Sequence, residues 1–224
     1  SPLVFFQEQE ETELEAAQRK VAELEAELGP EHLDLAKPLM AVLRIHYRQA
    51  QYGKAEEVGR QVLAIREKAL GPEHSDVATS LNNLAVFLML QGSYTEAQPL
   101  YERSLAMYEK SRGPDHPEVA GSLNNLAELL RSQGSYAEAR PLHERALAIR
   151  EKALGPDHLE VAGSLNNLAL LLHAQGSYAE ARPLYERSLA IRKKSHGPEH
   201  PNVGESLNNL AALLKTQGSN AEAR

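Results

Sequence analysis

Leu81, Leu84, Ala85 and Leu88 fall at i, i+3, i+4 and i+7, which places them on one face of a helix predicted over about 76–91. Ala97, Leu100, Tyr101, Ser104, Leu105 and Tyr108 line a longer second helix over about 94–111. Gly92 ends the first helix. Gly71-Pro72 and Gly113-Pro114 bracket the pair, because proline cannot continue a helix and glycine tolerates a left-handed end. Ser93 and Glu96 have capping-box spacing, so Ser93 should accept a hydrogen bond from a free backbone N–H of the second helix while Glu96 reaches back. The spacing recurs at Ser135/Glu138, Ser177/Glu180 and Ser219/Glu222. Pro99, Pro141 and Pro183 lie about two turns into each second helix and should bend it so that successive pairs nest.

The helix pair is one copy of a repeat. Gly-Pro-acid-His opens at Gly29, Gly71, Gly113, Gly155 and Gly197, always 42 residues apart, and residues 113–154 agree with 155–196 at 33 of 42 positions. A fixed period of this size predicts an array of units that bury their apolar faces only by stacking. The predicted order is an acidic lead-in (1–28), a divergent repeat (29–70), three full repeats (71–112, 113–154, 155–196) and a partial fifth (197–224). The first unit is divergent because it lacks the Leu-Asn-Asn-Leu-Ala core and carries Leu39, Met40, Ala41, Val42 and Leu43 instead. In the lead-in, Leu14, Ala17, Val21, Leu24 and Leu28 recur at helical spacing from Glu8 onward. That fits the second helix of a preceding unit, or a short coiled coil. A start at Ser1 and an end inside a repeat read as a piece of a longer protein. The final first helix, predicted over 202–217, is then uncapped.

Composition narrows the chemistry. With no cysteine among 224 residues there is no disulfide, thiolate metal site or cysteine nucleophile, which is compatible with a reducing, cytoplasmic setting. No apolar run is long enough to span a bilayer, and the 1–6 segment lacks the basic flank of a signal peptide. Six of the seven net negative charges sit in the lead-in, so the array is close to neutral and lacks the basic footprint of a nucleic-acid binder. Catalytic and cofactor motifs are missing: no Gly-rich phosphate loop, H-E-x-x-H or G-x-S-x-G. His32, His74, His116, His158 and His200 occur once per repeat. Packed helices lie roughly 10 Å apart while Zn–N bonds need about 2 Å, so loop or cap duty is expected rather than a metal site.

G-P-[DE]-H, S-L-N-N-L-A, Q-G-x-Y-x-E-A and P-L-x-E-R-[AS]-L-A-I-R, at a 42-residue period, resemble the tetratricopeptide repeat of the kinesin-light-chain type. The resemblance covers Gly29 to Arg224 and is strongest from Gly71 onward. It implies an all-α, right-handed α-solenoid of antiparallel helix pairs, with the first helices lining a concave groove. By the same resemblance, Asn in these first helices contacts the backbone of bound peptides. The Asn82/Asn83, Asn124/Asn125, Asn166/Asn167 and Asn208/Asn209 pairs are the candidates, since an amide offers the donor and acceptor that an extended peptide needs. The alternative is that one Asn of each pair ties neighbouring units together.

Positions that differ between copies late on the first helix complete the candidate peptide-binding set: Met89, Glu128, Arg131, Leu170, His173 and Lys215. Beside them stand Val86, Leu90, Ser132, Ala174, Ala212 and Thr216. Lys37, Arg44, Arg48, Arg131 and Lys215 outnumber Glu128 and Glu205. The expected partner is therefore a protein or linear peptide, acidic with hydrophobic anchors, rather than nucleic acid or membrane. The expected function is a non-enzymatic interaction scaffold. Its rivals are a regulatory segment of a larger signalling enzyme or ATPase, and a self-assembling array that stacks end to end.

Overall fold

The structure is a computed structural model that describes residues 2–222, with side chains for 12–218. The side chains of the Ser219/Glu222 pair and of the 1–6 segment lie outside the described ones. Described residues form ten α-helices and one 3-10 turn, without strands. They fall into two compact units, residues 1–111 and 112–224. The first holds α1 (Pro2–Leu28), the 3-10 turn Leu33–Leu35, α2 (Ala36–Arg48), α3 (Tyr52–Leu70), α4 (Ser75–Leu90) and α5 (Tyr94–Arg112). The second holds α6 (Pro117–Ser132), α7 (Tyr136–Leu154), α8 (Leu159–Ala174), α9 (Tyr178–His196) and α10 (Pro201–Glu222). This is an all-α solenoid of consecutive helix pairs. α6 packs on α7 and α8 on α9, and between repeats α3 packs on α4, α7 on α8 and α9 on α10.

Inside each pair the turn is made by backbone geometry. Gly92, Gly134 and Gly176 adopt φ near +80°, a left-handed conformation that costs an L side chain about 1–2 kcal/mol. The Ser93 N–H then reaches Leu88 O at 2.8 Å, and the Ser135 and Ser177 N–H groups reach Leu130 O and Leu172 O at the same distance. The divergent repeat makes this turn with Ala50, at φ +54°.

The capping-box expectation is corrected. The Ser135 and Ser177 hydroxyls make no cap hydrogen bond. Their main-chain carbonyls accept instead, Ser135 O from Glu138 N at 3.2 Å and from Ala139 N at 3.1 Å. The left-handed turn has already tied down the serine backbone, and the glutamate is drawn elsewhere. Arg140 pairs with Glu180 of the next repeat at 2.8 Å, and Arg60 with Glu96 at 3.4 Å. At Glu96 and Glu180 the S-x-x-E spacing therefore marks a bridge between second helices.

Caps do appear, at the histidines. Nδ1 of His74, His116, His158 and His200 accepts from the backbone N–H two residues on, at 3.1–3.3 Å, which satisfies an orphan donor of the first helix. The rest of the Gly-Pro-acid-His loop is held by the following second helix. Lys110, Lys152 and Lys194 reach Glu73, Asp115 and Asp157 at 2.5–2.6 Å. Arg103, Arg145 and Arg187 donate to the carbonyls of Pro72, Pro114 and Pro156 at 2.9–3.1 Å. A third tie joins each second helix to the next first helix: Arg66, Arg150 and Arg192 donate to the hydroxyls of Ser80, Ser164 and Ser206 at 2.8–3.0 Å. At the same register Tyr108 instead shares a 2.7 Å hydrogen bond with Thr79.

The pattern placed α4 and α5 to within a residue. α10 runs through Gly218, past the predicted end at Gln217.

Candidate functional site

The first helices carry the candidate residues, and burial divides them. Asn124 and Asn166 are 5% and 3% exposed. Asn124 Nδ2 donates to Ser164 Oγ of the next first helix at 3.1 Å, and its Oδ1 lies 2.8 Å from Nδ1 of His143 on α7. Asn166 Oδ1 accepts from Asn209 Nδ2 of the following repeat at 2.9 Å. Asn124 thus ties three helices together, and Asn166 joins α8 to α10. Asn83, Asn125, Asn167 and Asn209, the second members, are half-buried, as is Asn82, and Asn208 is exposed. In the Asn124/Asn125 and Asn166/Asn167 pairs the first amide is the buried tie and the second lies nearer the surface, whereas in the last pair Asn209 makes the tie and Asn208 is exposed.

The variable residues lie on the same side. One turn after Asn125, the Arg131 guanidinium holds the Glu128 carboxylate with two nitrogens, Nε at 2.9 Å. Hydrogen bonding to Glu128 pushes the Arg131 pKa further up. The counterparts on α8 are Leu170 and His173, half-buried, with the His173 ring edge-on to Tyr178 at 5.5 Å. On α10, Ala212 and Lys215 are exposed. Glu205 is drawn to Arg192 at 3.0 Å. Arg131 is thus paired on its own helix with the Glu128 that the sequence sets against it, and Lys215 stands at the surface.

In the first unit the candidates converge on a hollow of about 230 Å³ lined by Met40, Leu43, Arg44, Tyr47, Asn83, Val86 and Phe87. Tyr47 is 45% exposed and lies 5.9 Å from the Phe87 ring, while Met89 is half-buried and Leu90 exposed. Arg44 donates through Nε to Met40 O at 3.1 Å.

Two glycines that motif reading passed over share this face. Gly121 and Gly163 lie one turn before Asn125 and Asn167 inside α6 and α8, and a Cβ built on either meets nothing within 4 Å. Packing does not require glycine there, although it costs a helix interior about 1 kcal/mol relative to alanine. The available signal was Gly at a helical position repeated at the 42-residue period.

Beneath the row sits a buried polar group. His143 takes the place of Tyr101 and Tyr185 and is fully enclosed. Because Asn124 spends its NH₂ on Ser164, its oxygen accepts, and His143 carries its proton on Nδ1. Nε2 is then a buried acceptor with no donor among the described residues. Burial pushes the His143 pKa down to about 4 and the Tyr185 hydroxyl up to about 12.

The comparisons with known proteins match this geometry. Tetratricopeptide-repeat family models cover residues 44–76, 76–152, 118–194 and 160–224. The chain belongs to the tetratricopeptide-repeat family. Its form is the kinesin-light-chain type. Crystal structures of a kinesin light chain-like protein of Podosopora anserina with nearly identical TPR-like repeats, one of them a single-residue variant, are 31% identical. They superpose with TM-scores of 0.72 and 0.71 over 86% of this chain and 91% of theirs. BtubC (BKLC) from P. vanneervenii, at 24% identity, shares the fold with a TM-score of 0.77 over 96% of this chain and 87% of its own. No curated protein matches the sequence.

As a tetratricopeptide-repeat array the chain has a fold that generally serves as a protein-interaction scaffold. Among the described residues no helix is long and apolar enough to cross a membrane, and no group of three or more His, Asp or Glu could hold a metal ion.

Proposed function

We propose that the protein captures a linear peptide or an extended segment of a partner protein along the row of first helices. The observation that carries the reading is the bare backbone at Gly121 and Gly163 beside Asn125 and Asn167. A helix-weakening residue without a packing duty, one turn from an amide with a peptide's own hydrogen-bonding groups, makes room for a main chain at close approach. The frame is constant, and Glu128–Arg131, Leu170 and His173 vary around it, so general affinity and selectivity rest on different side chains.

The test substitutes Gly121→Ala with Gly163→Ala, and separately Asn125→Ala with Asn167→Ala, and measures partner capture by the intact protein beside thermal unfolding. The glycine variant should melt higher and capture less, and the asparagine variant should capture less at nearly unchanged stability. Undiminished capture in both variants would remove the row as the binding surface.

A further inference from the structure

Three of the nine positions at which residues 113–154 differ from 155–196 are Glu128, Arg131 and His143, where the next repeat has Leu170, His173 and Tyr185. No other repeat has a carboxylate at the first of these registers, which holds Arg44, Val86, Leu170 and Ala212. None has an imidazole at the third, which holds Gly59, Tyr101 and Tyr185. The combination belongs to one repeat. A tyrosine at the third register brings one hydroxyl into the core. His143 brings two nitrogens, and a buried polar atom without a partner calls for an explanation.

Nδ1 of His143 is committed to Asn124 Oδ1 at 2.8 Å, and Nε2 is enclosed with no partner among the described residues. Asn124 and Glu128 are four residues apart on α6. The carboxylate therefore lies one turn further along the flank that meets the imidazole. Arg131 holds that carboxylate at the surface with two nitrogens, the two side chains being 30% and 32% exposed. Burial is the largest influence on the ring and disfavours its proton; Glu128 favours the proton and Arg131 disfavours it. Among the described residues these two are the charges that act on the ring. α8 meets the chain of hydrogen bonds through the neutral Ser164, which accepts from Arg150 of α7 itself at 2.8 Å. α9 brings the buried Tyr185 hydroxyl, which also feels Arg131. Glu128 thus stands between two donors, Arg131 at the surface and, once the ring is protonated, His143 Nε2 beneath.

We propose that His143 is a positioning residue that acts through Glu128: a proton on Nε2 draws the carboxylate inward and releases Arg131, and withdrawal of Arg131 in turn lets the ring take up a proton. The neutral ring offers Nε2 only as a lone pair, which repels the carboxylate and leaves it to Arg131. The imidazolium offers a buried N–H, and an anionic acceptor stabilises it most where water is excluded. The two halves are one linkage, so each shifts the other by the same factor. Any partner that draws the Arg131 guanidinium onto itself is then captured with uptake of a proton at this repeat alone. The device goes beyond the capture reading, and it operates in the free chain.

The test follows the His143 ring nitrogens by NMR in the whole chain from about pH 3.5 to about 8, a range that brackets the ordinary histidine value. Loss of the signal in His143→Tyr assigns it, and circular dichroism on the same samples follows folding. The wild-type ring should be the Nδ1–H tautomer and titrate at about 4. Arg131→Met removes the competing donor and should raise the midpoint by about one unit or more. The imidazolium Nε2–H should then appear as a hydrogen-bonded signal. Adding Glu128→Gln should abolish that signal and most of the rise. Both replaced side chains are partly exposed, so the variants should keep the wild-type fold at pH 7. Should the wild type unfold before its ring titrates, its unfolding pH is the value that the Arg131→Met midpoint must exceed. The proposal is overturned by an Nε2–H tautomer in the neutral wild type, by a midpoint that Arg131→Met leaves unmoved, or by a rise that survives Glu128→Gln. The last outcome would leave Arg131 as a repelling charge and nothing more. None of these outcomes touches the capture reading, which the glycine and asparagine variants test.

Discussion

Deleting an amide costs what it leaves unsatisfied, and the asparagine pairs set up that comparison within two residues of chain. Asn124→Ala would strip a partner from His143 and from Ser164, both buried. A loss of about 1–3 kcal/mol is expected in urea unfolding. Asn167→Ala, at a half-buried position, should stay within about 0.5 kcal/mol of wild type. His143 supplies a pH signature. Its folded pKa of about 4 lies below the ordinary 6.5, so the unfolded chain binds the extra proton between those values. Stability is therefore complete above pH 6.5 and falls as pH drops toward 4, by on the order of 3 kcal/mol in total. His143→Tyr, the residue at this register in the neighbouring repeats, should remove that slope from denaturation measured across the pH range. In the sequence His143 stands where neighbouring repeats have Tyr101 and Tyr185. That difference did not show the imidazole closing a chain through Asn124 to Ser164, because that contact spans three helices.

The element scale turns on how helices start and stop. Ala50 holds a left-handed φ that the other turns give to glycine, so Ala50→Gly should stabilise the first unit by about 1 kcal/mol, read from its melting temperature. Ser135→Ala should cost less than about 0.5 kcal/mol, since the hydroxyl makes no cap bond. A loss of 1 kcal/mol or more would restore the capping box. The helices themselves were legible because apolar periodicity and Gly-Pro punctuation act locally. The S-x-x-E spacing misled because the same glutamate can reach back to its own helix start or across to an arginine one repeat away, and local spacing does not decide between them. The acids of the Gly-Pro-acid-His loops are held well below the usual carboxylate range by hydrogen bonds from Lys110, Lys152 and Lys194. What they contribute is present above the unfolded carboxylate pKa and is lost as pH falls through the lowered one.

For the molecule as a whole, nearest-neighbour contacts dominate: every tie described above joins a helix to its own repeat or the next. Excising residues 113–154, one full period, should therefore leave helicity per residue in circular dichroism unchanged while lowering the melting temperature. A collapse of helicity would mean that the array depends on longer-range contacts. The charge reading belongs to this scale too. Arg131, set against Glu128 in the expected excess, pairs with it across three residues of one helix, whereas Lys37, Arg44 and Lys215 are exposed. Periodicity by itself determined the repeat, its helix pairs, its glycine turns and the row of asparagines, because each follows from residues a few positions apart. Only the tertiary structure decided which asparagine is a tie and which meets solvent, and where each arginine spends its charge. Those outcomes depend on side chains roughly 40 residues apart competing for the same partner, and a one-dimensional pattern does not rank that competition.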